Sequence, residues 1–180
     1  MRIKVQESCL LIVDVQERLA PVMENPRRVL YGGATLMRAA LRLSIPILVT
    51  EQYPKGLGPT MIDLRSLVPE GAIFEKVHFA STEEPGFLDR LKAFGRRQVV
   101  MAGIESHICV TQTALGLLEA GYEVFVVSDA CSSRRLESYE AAMRRLDAAG
   151  AKLVTVEMAV FEWLFKAGTP EFKDLSALIK

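Results

Sequence analysis

Three side chains stand where apolar runs give way to a charge or a thiol. Asp14 sits in "SCLLIVDV" (residues 8–15), Lys76 in "AIFEKVHF" (72–79), and Cys109 shortly after "RQVVMAG" (97–103). A carboxylate can take or give a proton, an ammonium can favour an anion, and a thiol can attack a carbonyl. Each has a bland alternative. Asp14 closes a run of Leu-Leu-Ile-Val, where a bare carboxylate is costly, so it must be hydrogen-bonded, paired or functional; capping or loop-holding would also satisfy it. Lys76 could simply reach solvent, and Glu75 beside it points to the other strand face. Cys109 lies in the first turn of a helix expected from residue 106 or 107 to 120. Unpaired N–H groups and the helix dipole there predict a lowered thiol pKa, and the same amides could hold an oxyanion. Cys9, inside the first strand, and Cys131, after the fifth, read as small buried hydrophobes. His107, two residues before Cys109, could act as the base but reads better as a pocket wall or cap.

The elements that must position these groups follow from pattern. The continuous apolar run at 8–15 predicts a strand buried on both faces, and further strands are expected at 45–52, 72–79, 97–103, 122–130 and 151–156. Between them, 26–43 predicts a helix whose inward stripe is Leu30, Leu36, Met37, Ala40 and Leu41. Residues 53–60, "YPKGLGPT", read as a Gly/Pro-rich loop, followed by a short helix in "MIDLRSLV". Further helices are expected in "PGFLDRLKAFG", 106–120, "RLESYEAAMRRLDAAG", "EMAVFEWLFKAG" and "PEFKDLSALIK", several stopped by glycine. Strands alternating with helices imply an α/β fold with a parallel sheet covered on both sides. Such sheets bind ligands beyond the carboxyl ends of their strands, where the strand order reverses.

The bulk numbers bound the function. The chain has 180 residues, enough for one domain spanning 1–180, with 22 basic against 22 acidic side chains. No basic face is evident, so nucleic acid is not an expected partner. No apolar run approaches the roughly 20 residues of a membrane span, and the N-terminus enters the first strand with no room for a signal peptide. Three scattered cysteines without C-x-x-C, and two separated histidines, give no disulfide framework or zinc motif and suggest a reducing cytoplasm. Dinucleotide, P-loop and G-x-S-x-G signatures are absent, so no cofactor is expected.

Taken together, "LLIVDVQ", "FEKVHFAS" and "VVMAGIESHICVTQTALGLLEAGYEVFVVSDAC" resemble, in order, the motifs of the isochorismatase-like cysteine hydrolases, which include nicotinamidases and carbamoylsarcosine-type amidohydrolases. "VTEQYPKGLGPT" is similar to a subgroup whose members mostly lack an assigned substrate. The resemblance implies a three-layer α/β/α sandwich with sheet order 3-2-1-4-5-6 and a homo-oligomer. It implies a catalytic triad of Asp14, Lys76 and Cys109. It also implies a non-proline cis bond between Ile104 and Glu105, with the Glu105 and Cys109 amides as an oxyanion hole. The expected activity is hydrolysis of a small amide or related C–N bond through a thioester. The alternatives are a non-covalent isochorismatase-type hydrolysis and a catalytically silent binding module. Pocket candidates are Gln16, Gln52, Tyr53, Phe79 and His107. Nicotinamidases carry metal-binding Asp and His after the second strand; Thr50-Glu51-Gln52-Tyr53 stands here, so no metal is expected. True isochorismatases lack the nucleophilic cysteine.

Overall fold

A computed structural model describes residues 1–179. Six parallel strands form one sheet in the order β3-β2-β1-β4-β5-β6. They are β1 Ser8–Val13, β2 Ile47–Gln52, β3 Ile73–Lys76, β4 Gln98–Gly103, β5 Glu123–Cys131 and β6 Lys152–Val154. The helices are α1 Pro26–Arg42, the single turns α2 Pro54–Leu57 and α3 Ile62–Arg65, α4 Phe87–Lys92, α5 Thr111–Glu119, α6 Leu136–Ala148, α7 Val156–Leu164 and α8 Pro170–Ser176. α1 and α7 cover one face of the sheet and α5 and α6 the other. This is the predicted α/β/α sandwich with the predicted strand order.

Every residue of β1, β2 and β4 is buried. That is why these strands read as unbroken apolar runs rather than alternating ones. Strand order reverses between β1 and β4, so the ends of those two strands open the crevice where this architecture places ligands. Gly103 ends β4 at φ 134°, so close to β1 that an added Cβ would stand 2.1 Å from the Val13 carbonyl oxygen. Only glycine fits there.

Some boundaries differ from expectation. β3 stops at Lys76 rather than running on to Phe79. Val156 opens α7 rather than ending β6, because the Thr155 side chain accepts from the Met158 N–H and caps the helix. The loop after β2 contains the single turn α2. In α1, Leu36, Met37 and Ala40 are buried as expected, but Leu41 is 45% exposed. The inward face runs instead through Val29, Gly32 and Gly33, since a Cβ on Gly32 would meet the Ala130 Cβ at 2.7 Å. Gly32 lets α1 lie down on Ala130 of β5, while Gly33 faces Leu64 of α3.

Candidate active site

Asp14 follows the last residue of β1 in a left-handed conformation, φ 52°, which Asp tolerates better than most residues. Its backbone N–H donates to the Thr50 carbonyl at 3.1 Å, tying it to β2. One carboxylate oxygen accepts from the Thr50 hydroxyl at 2.6 Å; the other accepts from Lys76 Nζ at 2.8 Å. Both side chains of this ion pair are wholly out of solvent. Lys76 pairs in register with Gln52 of β2, and its side chain crosses beneath β2 to reach the end of β1. Nζ also donates to Gln52 Oε1 at 2.6 Å, with the carbonyls of His78 and Phe79 at 3.1 and 3.4 Å. A dry ammonium needs such a full set of acceptors to offset its lost hydration.

Past Gly103 the Ile104–Glu105 bond is cis. A wide π-helical turn, Ser106–Val110, then runs into α5, and the Thr111 hydroxyl ties back to the Ser106 carbonyl at 2.6 Å. The Glu105 N–H finds no acceptor among the described residues. Cys109 is buried inside this turn, where Asp14 and Lys76 are the charged groups that act on its thiol. Carboxylate, ammonium and sulfur thus meet from three distant segments. The expected lowering of the thiol pKa is overturned. Burial pushes the Cys109 thiol up to about 12, the Asp14 charge adds to the rise, and the Lys76 ammonium only partly opposes it. Desolvation is the largest of these effects. Cys9 and Cys131 are buried and raised to about 12 as well, by burial foremost.

Gln16 and Gln52 are buried and spend their amides on internal hydrogen bonds. Gln16 Nε2 donates to the Gln52 and Gly58 carbonyls at 2.9 and 2.7 Å, and its Oε1 accepts from the Gln52 N–H at 2.7 Å. Gln52 Nε2 donates to the Val77 carbonyl at 2.7 Å while Oε1 holds Lys76. Buried Glu51 accepts from both the N–H and the hydroxyl of Thr60 at 2.7 Å, closing the same loop. These amides substitute for missing backbone partners and fix the lysine. The sequence marked them as polar at strand ends, which does not say whether they face outward or inward.

Tyr53 and Phe79 are each 55% exposed. Tyr53 lines a cavity of about 320 Å³ with Pro54, Lys55, Glu75, Lys76, Val77 and Glu84. Phe79 meets the site through its carbonyl. His107 turns to the other side, its Nδ1 2.9 Å from the Ser133 hydroxyl, and lines a cavity of about 470 Å³ with Arg134, Arg135 and Ser138. Arg134 was not foreseen. Its Nε donates to the buried Glu105 carboxylate at 2.9 Å, a contact across 29 residues of sequence that no local pattern signals. Among the described residues no three His, Cys, Asp or Glu side chains gather as a metal site, and no helix is long and apolar enough to cross a membrane.

The isochorismatase-domain family model matches residues 8–158, which include Asp14, Lys76 and Cys109. The chain belongs to the isochorismatase-domain family. A secreted isochorismatase effector of Phytophthora sojae, Isc1, is 38% identical over 96% of this chain and 84% of its own length. Among solved structures, the MAR1 ribonuclease of Caenorhabditis elegans is 38% identical with a TM-score of 0.93, covering 99% of this chain and 92% of that one. The YcaC gene product of Escherichia coli, described as an octameric hydrolase of unknown specificity, shares the fold at 24% identity, with a TM-score of 0.93 over 99% of this chain and 90% of its own.

Proposed function

We propose that this family member is a cysteine hydrolase that opens a small amide or related C–N bond through a thioester. The observation that carries the reading is the buried Asp14–Lys76 pair acting on Cys109 beside the unpartnered Glu105 N–H. The raised thiol pKa means the resting sulfur is protonated. Asp14 therefore removes the thiol proton as Sγ attacks the carbonyl carbon, and Lys76 balances the charge that remains in the dry site. The Glu105 and Cys109 N–H groups receive the oxyanion; one such donor contributes roughly 10²–10³ in rate. The tetrahedral adduct collapses as Asp14 returns the proton to the leaving amine. Water then attacks the thioester, giving a proton to Asp14; the acid departs and the sulfur regains its hydrogen.

Two other readings are weaker. A non-covalent C–O hydrolysis leaves Cys109 idle, and a silent binding module leaves a costly buried ion pair without a task. The nematode relative is described as a ribonuclease, but the zero formal net charge of this chain supplies no overall electrostatic attraction for RNA. The octameric neighbour supports a homo-oligomer here, with exposed Tyr31, Phe161 and Phe165 available for contact. Three unpaired cysteines fit a reducing cytoplasm, although the oomycete relative is named as secreted.

The test is a panel of small amides read by ammonia release and by the intact mass of the protein. The wild type gains an acyl mass that maps to Cys109, and Cys109→Ala loses turnover and adduct together. Turnover by Cys109→Ala at the wild-type rate would end the covalent route. A second measurement checks the protonated resting thiol. Iodoacetamide labelling of Cys109 climbs with pH towards about 12, and a plateau at the roughly 3.5–7.5 of activated cysteines would overturn it.

A further inference from the structure

The 470 Å³ cavity beside the nucleophile turn is lined by His107, Arg134, Arg135 and Ser138, and no carboxylate lines it. Three of the four side chains are basic or can become so. Each is differently constrained. Arg134 is pinned by Glu105, through Nε at 2.9 Å and through its own N–H at 3.3 Å, so one positive charge is already offset but its fork is held in place. Arg135 lines the cavity with no carboxylate or carbonyl partner for its guanidinium among the described residues. His107 is fixed by Ser133. That hydroxyl is buried and lies 2.9 Å from Nδ1, which leaves Nε2 as the ring's other polar edge. Nε2 can donate from that edge in the Nε2–H tautomer and in the imidazolium. Ser138 adds a hydroxyl. The lining is thus rich in donors, carries one uncompensated cation, and is held rigid by two buried groups, Glu105 and Ser133.

We propose that this cavity is a binding site for a carboxylate or phosphate oxyanion. Arg135 supplies the free charge and a fork matched to two oxygens. His107 Nε2, the Ser138 hydroxyl and the outer edge of Arg134 complete the ring of donors. The site shares its wall with the turn that carries Cys109 and with Glu105. An anion seated there is either a separate small ion or the acid group of the substrate itself. Only the second source rests on the hydrolase reading; binding of the ion does not.

The experiment titrates inorganic phosphate and acetate into the full-length protein, followed by calorimetry and by the ¹⁵N shifts of His107. Wild type binds at least one of the two, weakening as salt rises, with His107 shifting alongside. Arg135→Ala lowers affinity roughly 10-fold or more, the loss expected of one charge-assisted hydrogen bond. Cys109→Ala binds as wild type, which separates this site from the hydrolase reading. No binding up to tens of millimolar (on the order of the weakest specific anion sites), or equal binding by Arg135→Ala, overturns the proposal. The source is read from Cys109 labelling by iodoacetate against neutral iodoacetamide at one alkaline pH. A ratio that falls in Arg135→Ala assigns the anion to the reacting molecule; an unchanged ratio assigns it to a separate ion.

Discussion

The turn that carries Cys109 has two unlike neighbours. Towards β2 and β3 lies a closed polar network in which Asp14, Thr50, Gln16, Gln52 and Lys76 spend their hydrogen-bonding capacity on one another and on backbone carbonyls. Towards α6 lies an open cavity whose arginines and histidine keep donors free. Both regions are charged, yet only the first is dry. The difference separates two uses of charge. The groups we propose to move protons are buried and fully partnered, whereas those we propose to capture a solute are left short of partners at the surface.

The hardest way to break this contrast is to unpair the dry side. Lys76→Met leaves the Asp14 carboxylate buried beside Thr50 with no cation, and removing one member of such a pair costs about 3–5 kcal/mol. Urea unfolding is expected to show that loss, and the double variant Asp14→Leu/Lys76→Met is expected to recover most of it, since the isolated charge is gone. A single-variant loss under about 1 kcal/mol would place the pair in the range of exposed bridges, and the closed network would not be dry.

A smaller blow falls on the amides. Gln16→Ala strips partners from the Gln52 N–H and from the Gln52 and Gly58 carbonyls. Unsatisfied buried groups cost about 1–3 kcal/mol each, with water able to enter from the Gly58 side and relieve part of it. The expected loss in urea unfolding is about 1–3 kcal/mol, with α2 and the 53–60 loop exchanging amide protons faster. Unchanged exchange in that loop would mean the backbone holds itself and Gln16 is incidental.

What the sequence disclosed maps onto the same contrast. Asp14 and Cys109 were legible because each interrupts or follows an apolar run, and a polar atom there demands an account. Lys76 was a weaker signal at its strand end, since strand-end lysines are common, and the resemblance strengthened it. The buried central strands followed from unbroken apolar runs, whereas the strand order came only from the resemblance. Direction was not legible. Gln16 and Gln52 showed polarity at strand ends but not that both turn inward to replace backbone partners. The Cys109 pKa was misjudged because a helix start is visible in sequence while the depth of burial around it is not. Arg134 and Glu105 meet across 29 residues, and nothing local in "CSSRR" marks one arginine as pinned and the next as free.

That last distinction gives the smallest expected effect and the finest test of the open side. Arg134 and Arg135 are sequence neighbours, both exposed, and equal in charge. If the cavity is a place where donors wait for a solute, Arg135 contributes nothing to folding, because its guanidinium has no protein partner to lose among the described residues. Arg135→Ala should then keep its unfolding free energy within about 0.5 kcal/mol of wild type, as surface changes away from any contact do. Arg134→Ala should cost more, because it strips the buried Glu105 carboxylate of its cation and of the hydrogen bond from Nε. Equal losses from the two substitutions would mean that Arg135 also holds the fold. The open cavity would then be a second closed network, and the division between the two sides of the Cys109 turn would fail.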